Sequence, residues 1–271
     1  MPELPEVETT CCGIKPYITG KCVQAVVVRQ SKLRWPITPS LKKSLPGQKI
    51  LDVTRRGKYL LITATQGTII IHLGMSGSLK LIDSDETPKK HDHLDIVFNN
   101  NQALRLHDPR RFGAVLWTTK PPLKHPLLGS LGPEPLENNF NTDYLFECSR
   151  KRRVAIKTFI MNSHIVVGVG NIYASEALFR SGIRPTTAAG KISKKRYQRL
   201  VVAIKEVLQA AIDEGGTTLR DFTNGEGKPG YFKQKLLVYG RAGESCTVCN
   251  KTIKQSQQNQ RATYYCSHCQ R

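Results

Sequence analysis

The chain has 271 residues, with 41 Lys and Arg against 21 Asp and Glu and a formal net charge of +20. Apolar residues reach 39%, too many for a disordered polymer. No stretch approaches the ~20 apolar residues of a membrane-spanning helix, and the acidic start lacks the basic-then-apolar pattern of a secretory signal.

The basic excess is 8 over residues 1–135 and 12 over residues 136–271. Both halves therefore present a positive field, which favours nucleic acid as the partner over a merely solvated basic surface. The length suits two domains of ordinary size.

The chain opens Met1-Pro2-Glu3-Leu4-Pro5-Glu6-Val7-Glu8. Initiator methionine is normally trimmed before a small residue, which would leave the secondary amine of Pro2 free. An α-amine titrates near ~8, well below a lysine, so a fraction is unprotonated at neutral pH. It can then attack an electrophilic carbon to give an iminium. Glu3 and Glu6 lie close in sequence and offer proton transfer, although exposed acidic residues after a Met-Pro start are the commoner reading.

Residues 5–18 read as a short helix closed by Gly20. Strands are predicted at Cys22–Arg29, Ile50–Val53, Tyr59–Thr63, Thr68–Leu73, Ser78–Ile82, Leu94–Asn99, Ala103–Leu106 and Ala114–Thr118. Their β-branched content, short spacing and Gly, Pro, Asn or Asp gaps argue for an antiparallel sandwich or barrel. Between two of these strands, Asp108-Pro109-Arg110-Arg111-Phe112-Gly113 sets a large aromatic among arginines. That is what a wedge needs to unstack a duplex step while a guanidinium meets base edges. Met75 sits on a second turn, His72-Leu73-Gly74-Met75-Ser76-Gly77. Core packing is the alternative for each apolar residue taken singly.

Pro121–Asn141, rich in Pro and Gly, reads as a linker. Helices are predicted at Val154–Asn162, Asn171–Ser181 and Lys194–Asp213. The last repeats apolar residues at steps of three and four, with Ser193 as N-cap and Gly215-Gly216 as the stop. Gly168-Val169-Gly170-Asn171 leads into the second helix, where free N–H groups can hold a phosphate. The same residues also fit a plain turn or a helix–turn–helix element.

Cys246-x2-Cys249-x16-Cys266-x2-Cys269 has the spacing of a four-thiolate zinc site, a closed and hence structural arrangement. About thirty residues bury little core, so the metal would hold the fold. His268 could replace one thiol, and two disulfides are the competing reading. Cys11, Cys12, Cys22 and Cys148 show no framework spacing, and a reducing cytosol is the simplest compartment.

Together these segments resemble bacterial formamidopyrimidine-DNA glycosylase. The similarity runs in unchanged order through Pro2–Thr9, His72–Gly77, Asp108–Gly113, Gly168–Glu176, Gly227–Phe232, Gln260–Thr263 and the terminal cysteines. Pro-Glu-Leu-Pro-Glu is similar to this branch rather than to endonuclease VIII, which typically opens Pro-Glu-Gly-Pro-Glu. The resemblance implies a multi-domain α+β chain. It would comprise an N-terminal antiparallel β-sandwich catalytic domain (1–120), a linker (121–141), a helix–two-turns–helix domain (142–240) and a zinc-finger hairpin (241–271).

It further implies a monomeric DNA repair enzyme with one structural Zn2+. Such an enzyme excises 8-oxoguanine and formamidopyrimidines from duplex DNA and then cleaves the strand by β,δ-elimination. By this resemblance Pro2 is the nucleophile, Glu3 the acid/base at the sugar and Glu6 its support. Lys58 serves the first elimination and phosphate binding, and Arg261 the second elimination. Met75, Arg110 and Phe112 fill the void left by the flipped nucleotide, while His91, Arg152 and Asn171 contact DNA. Thr217–Tyr231 matches the loop that closes over the extruded base, with Arg220 where a lysine also occurs. Cys11-Cys12 replace what is often an arginine pair, which would lower charge near the backbone contacts.

Three other readings stay open on residues alone: a non-enzymatic zinc-finger DNA binder, a tautomerase using the same amine, and an oxidised-pyrimidine glycosylase.

Overall fold

The computed structural model describes residues 2–216 and 235–271. Its described residues form two compact units. One runs to Ser130 and adds residues 214–216; the other comprises Leu131–Asp213 and the chain from residue 235 onward.

Among the described residues, eight strands build the first unit: β1 (Val23–Val28), β2 (Ile50–Arg56), β3 (Tyr59–Ala64), β4 (Gly67–His72), β5 (Ser78–Asp83), β6 (Asp92–Phe98), β7 (Gln102–His107) and β8 (Ala114–Thr118). They pair antiparallel into two four-stranded sheets, ordered β1-β6-β7-β5 and β2-β3-β4-β8. Because successive side chains alternate faces, each sheet turns one apolar face inward. Val26, Leu94, Ile96, Leu104 and Leu106 of one sheet share a core with Val53, Leu60, Ile62, Ile69, Ile71 and Val115 of the other.

Helix α1 (Leu4–Ile18) closes that core with Val7, Cys11, Ile14 and Ile18, spaced at three and four residues. Each such apolar side chain stabilises by about 1.5–3 kcal/mol through burial, so the helix and the N-terminus preceding it are fixed to the sandwich. Cys11 is thus a core residue, its thiol 3.6 Å from the Val53 carbonyl oxygen. Burial, with Glu8 nearby, pushes that thiol up to about 12. A short helix, α2 (Leu41–Ser44), lies in the β1–β2 connection.

The expected linker holds a 3-10 turn at Pro122–Lys124 and a short helix, α3 (Pro126–Gly129), and it buries Leu128 and Phe140. The division between the two units falls inside it, after Ser130. The second unit contains α4 (Thr142–Ser149), α5 (Ile156–Ile160), α6 (Asn171–Arg180) and α7 (Lys194–Asp213). Helix α4 has no counterpart among the predicted elements; Asn141 caps it by accepting from the Tyr144 N–H at 3.0 Å. Helix α5 is shorter than the expected Val154–Asn162. Ala155 is extended and bridges Ala188, which stops the helix from starting earlier.

The terminal hairpin, β9 (Lys254–Gln258) and β10 (Arg261–Tyr265), packs on the helical unit. Phe179 of α6 shares a small core with Val238, Cys246, Ile253 and Cys266. The Glu176 carboxylate, also on α6, accepts backbone N–H bonds from Leu237, Val238 and Tyr239 at 2.8–3.0 Å.

Candidate active site

Helix α1 begins with its catalytic candidates already buried. Pro2 is buried, and Glu3 and Glu6 are 1% and 2% exposed. Glu3 is the N-cap: its side chain accepts from the Glu6 N–H, and Glu6 Oε2 accepts from the Glu3 N–H at 2.8 Å. This reciprocal pairing satisfies helix-terminal donors that would otherwise be orphaned. It also holds two carboxylates beside Pro2. Gly216 lies against the same group: a Cβ there would sit 3.3 Å from Glu6 Cγ and Oε1, and its φ is +85°. Only glycine meets both conditions without strain.

Lys58 lies on the β2–β3 hairpin. Arg56 pairs with Tyr59, leaving a two-residue loop, Gly57-Lys58, with Gly57 at φ +57°. Opposite Tyr59 in the register is His72, their rings 4.8 Å apart. The Gly74 N–H donates to His72 Nδ1 at 3.0 Å, so the ring proton resides on Nε2. Burial, helped by the cations Lys58 and Arg34, lowers His72 to about 4 and keeps it neutral.

The turns 72–77 and 108–113 are joined back to back. Asp108 is fully buried; Oδ1 accepts from the Ser76 hydroxyl at 2.9 Å and Oδ2 from the Gly113 N–H at 2.8 Å. A Cβ on Gly74 would come 2.4 Å from the Phe112 carbonyl carbon, so the glycine permits the close approach. With the backbones held, Met75 and Phe112 stay 40% exposed although both are large and apolar. The Arg110 guanidinium lies 4.9 Å from the centre of the Phe112 ring. Lys32, Leu33, Arg34, Met75, Arg110, Arg111 and Phe112 line a concavity of about 650 Å³. Exposed apolar tips set among cations suit a polyanion that also offers flat apolar faces.

His91 adjoins this loop. Its ring meets those of His93 and His107 edge-on, at 6.3 and 5.9 Å. His93 Nε2 donates to the Asp108 carbonyl at 2.8 Å, and His107 Nδ1 bonds Asp92 Oδ1 at 2.7 Å.

In the second unit, Arg152 and Arg261 line one cavity of about 440 Å³ with Lys157, Asn162 and Asn259. Lys157 is buried; its Nζ donates to the Ala262 carbonyl at 2.9 Å and to Thr263 Oγ1 at 2.7 Å. Asn171, first in α6, donates to the same carbonyl at 3.0 Å. Arg261, Arg152 and Asn171 are therefore gathered at one hairpin. Arg220 and the stretch Thr217–Tyr231 lie outside the described residues.

Cys246, Cys249, Cys266 and Cys269 place all four sulfurs within 4.8 Å of one another. Separations of 3.9 Å for Cys246–Cys269 and 3.4 Å for Cys249–Cys266 bracket the ~3.8 Å edge of a tetrahedron with 2.3 Å Zn–S bonds. The donor set fits one structural Zn2+.

Three participants escape a reading of the residues alone. His72 stands inside a quoted motif without a role; Arg34 and buried Asp108 have only a basic stretch and a turn to mark them. Their importance lies in contacts with distant residues.

Two family models match the chain: the formamidopyrimidine-DNA glycosylase N-terminal domain over residues 1–115 and the formamidopyrimidine-DNA glycosylase H2TH domain over residues 131–223. Formamidopyrimidine-DNA glycosylase of Nitrosococcus oceani is 57% identical over 270 residues, covering 100% of both chains. That of Pseudomonas aeruginosa is 57% identical over 271, again with 100% of both chains covered. Among solved structures, a Lactococcus lactis Fpg variant in complex with Fapy-dG-containing DNA superposes with a TM-score of 0.93 at 32% identity, covering 99% of each chain. The MutM (Fpg) protein of Thermus thermophilus gives 0.90 at 35%, covering 99% of this chain and 98% of the other. With sandwich, helical unit and four-cysteine hairpin all accounted for, the chain belongs to the formamidopyrimidine-DNA glycosylase family.

Proposed function

We propose that this protein is a bifunctional base-excision repair enzyme, a glycosylase and abasic-site lyase acting on oxidised purines in duplex DNA. The observation that carries this reading is the buried start of α1, where Pro2 adjoins the interlocked carboxylates Glu3 and Glu6. The L. lactis relatives bound to Fapy-dG DNA and to abasic-site DNA support the substrate class.

In this mechanism the damaged nucleotide leaves the stack, and Met75, Arg110 and Phe112 occupy its place. The Pro2 nitrogen attacks C1′ as the glycosidic bond breaks and the base leaves; the C1′–O4′ bond then opens, with Glu3 protonating O4′, to give the iminium. The resulting iminium acidifies C2′, whose proton is lost as the 3′ phosphate departs, with Lys58 serving this step. A second elimination, served by Arg261, expels the 5′ phosphate. Glu6 orients Glu3. His91, Arg152, Asn171 and Arg220 contact the DNA, and the arginines among them make affinity fall with salt. The zinc, when bound, cross-links the hairpin that carries Arg261. The protein acts as a monomer in the cytosol, where thiols stay reduced.

Borohydride trapping tests the proposal. Mature protein on an 8-oxoguanine duplex gives a covalent adduct, and Pro2→Gly diminishes it. An adduct undiminished when the α-amine is blocked would transfer the nucleophile to a lysine. Retention of Met1 in fully active protein, seen by intact mass, would also overturn it.

A further inference from the structure

The Gly57-Lys58 loop is held by a residue to which neither the fold nor the proposed chemistry gives a role. Arg55 lies on β2, with its side chain 11% exposed. Its Nε donates to Glu8 Oε2 at 2.5 Å, and its Nη1 donates to the Gly57 carbonyl oxygen at 3.1 Å. Glu8 belongs to α1, the helix that begins beside Pro2. The Gly57 carbonyl belongs to the peptide linking Gly57 to Lys58.

That peptide is the one that decides where Lys58 points. A two-residue hairpin loop with positive φ at its first residue and negative φ at its second is of type II′. Gly57 has φ +57°, and Lys58 is absent from the residues of positive φ. Turning the Gly57–Lys58 peptide over converts the loop to type I′, which forces Lys58 into the left-handed region and swings its side chain. A left-handed lysine costs only about 1–2 kcal/mol, so the intrinsic preference is modest and an external bond to the peptide oxygen matters. Arg55 supplies it.

A guanidinium suits the task because its planar fork can bond two acceptors at once. One is a carboxylate, and that charge-assisted bond anchors the fork to α1. Glu8 is itself held within the helix, and Cys12 Sγ lies 3.5 Å from its other oxygen. The route is thus two bonds long, from the helix whose N-cap follows Pro2 to the peptide that carries Lys58.

We propose that Arg55, anchored by Glu8, is a positioning residue that selects the hairpin turn aiming Lys58 for the first elimination. It rests on the reading of Lys58 given above. Without Arg55 the amine and carboxylates of α1 remain in place, so base release proceeds while strand scission falters.

Single-turnover reactions on an 8-oxoguanine duplex, with base release and strand scission timed separately, test this. Arg55→Gln lowers scission roughly tenfold or more relative to base release, as displaced catalytic groups do. Lys58→Ala produces the same separation, and the double variant shows no loss beyond Lys58→Ala alone. Arg55→Lys gives no full rescue, since one ammonium cannot reproduce the planar fork. Glu8→Gln leaves Arg55 in place and gives a smaller separation, so the proposal stays testable if Arg55→Gln folds poorly. Base release and scission falling together in both Arg55→Gln and Glu8→Gln would overturn it, as would losses that multiply in the double variant. Should Lys58→Ala itself leave scission in step with base release, the Lys58 assignment fails and this proposal with it. That outcome differs from an unaffected Arg55→Gln beside an impaired Lys58→Ala.

Discussion

Replacing His72 by Asn should make the stability of the N-terminal unit less sensitive to acid, by an amount set by the burial of one ring. His72 falls from 6.5 to about 4, first through burial and then through Lys58 and Arg34. A histidine with a lowered folded-state value is stabilising while neutral. Its contribution is complete above about pH 6.5 and is lost as the pH falls towards 4, because the unfolded chain binds the proton first. Between pH 8 and pH 5 that linkage amounts to about 2 kcal/mol. Asn retains an acceptor near the Nδ1 position for the Gly74 N–H and cannot titrate, so its cavity cost is the same at both pH values. Trp35 and Trp117 are the two tryptophans of the chain, and both lie in the unit containing His72. Urea unfolding followed by their fluorescence therefore reports on that unit. The stability gap between wild type and His72→Asn should narrow by about 2 kcal/mol from pH 8 to pH 5. Parallel pH profiles, or a ring titration midpoint near 6.5 by NMR, would refute the reasoning.

Asp108→Ala removes a buried carboxylate acceptor and strands both the Ser76 hydroxyl and the Gly113 N–H. We expect about 3–5 kcal/mol of lost stability and weaker binding to an abasic-analogue duplex; a normal melting temperature with normal affinity would show that the two turns hold without the staple. Chelation of zinc should unravel the terminal hairpin and weaken DNA binding, as read by amide exchange at Lys254–Tyr265 and by affinity. Unchanged protection after verified metal loss would show instead that the small core around Phe179 suffices.

Much of the fold was legible from local pattern. Short β-branched runs separated by Gly, Pro, Asn or Asp placed eight strands within a few residues of their positions, and the apolar spacing of Lys194–Asp213 placed α7 at its observed bounds. Both patterns depend on which residues face a core, and the chain writes that directly. The expectation over Val154–Asn162 overreached because the bridge of Ala155 to Ala188, thirty-three positions away, holds the preceding backbone extended. Helix α4 is hard to see in the sequence because its eight residues carry only a weak apolar face, with Leu145 and Ser149 buried.

The site divides in the same way. Composition supplied the polyanion partner, cysteine spacing the zinc site, and the opening residues a proline followed by two carboxylates that the fold buries, since each depends on residue type and short separation. The rest came from distant segments brought into contact. Asp108 acquires meaning from Ser76, His72 from Lys58 and Arg34, and Arg55 from Glu8, forty-seven residues away. Hydrogen-bond partners and local dielectric are properties of packed neighbours rather than of any one stretch of chain, so only the folded protein could decide which turn the Gly57-Lys58 loop adopts and that His72 stays neutral.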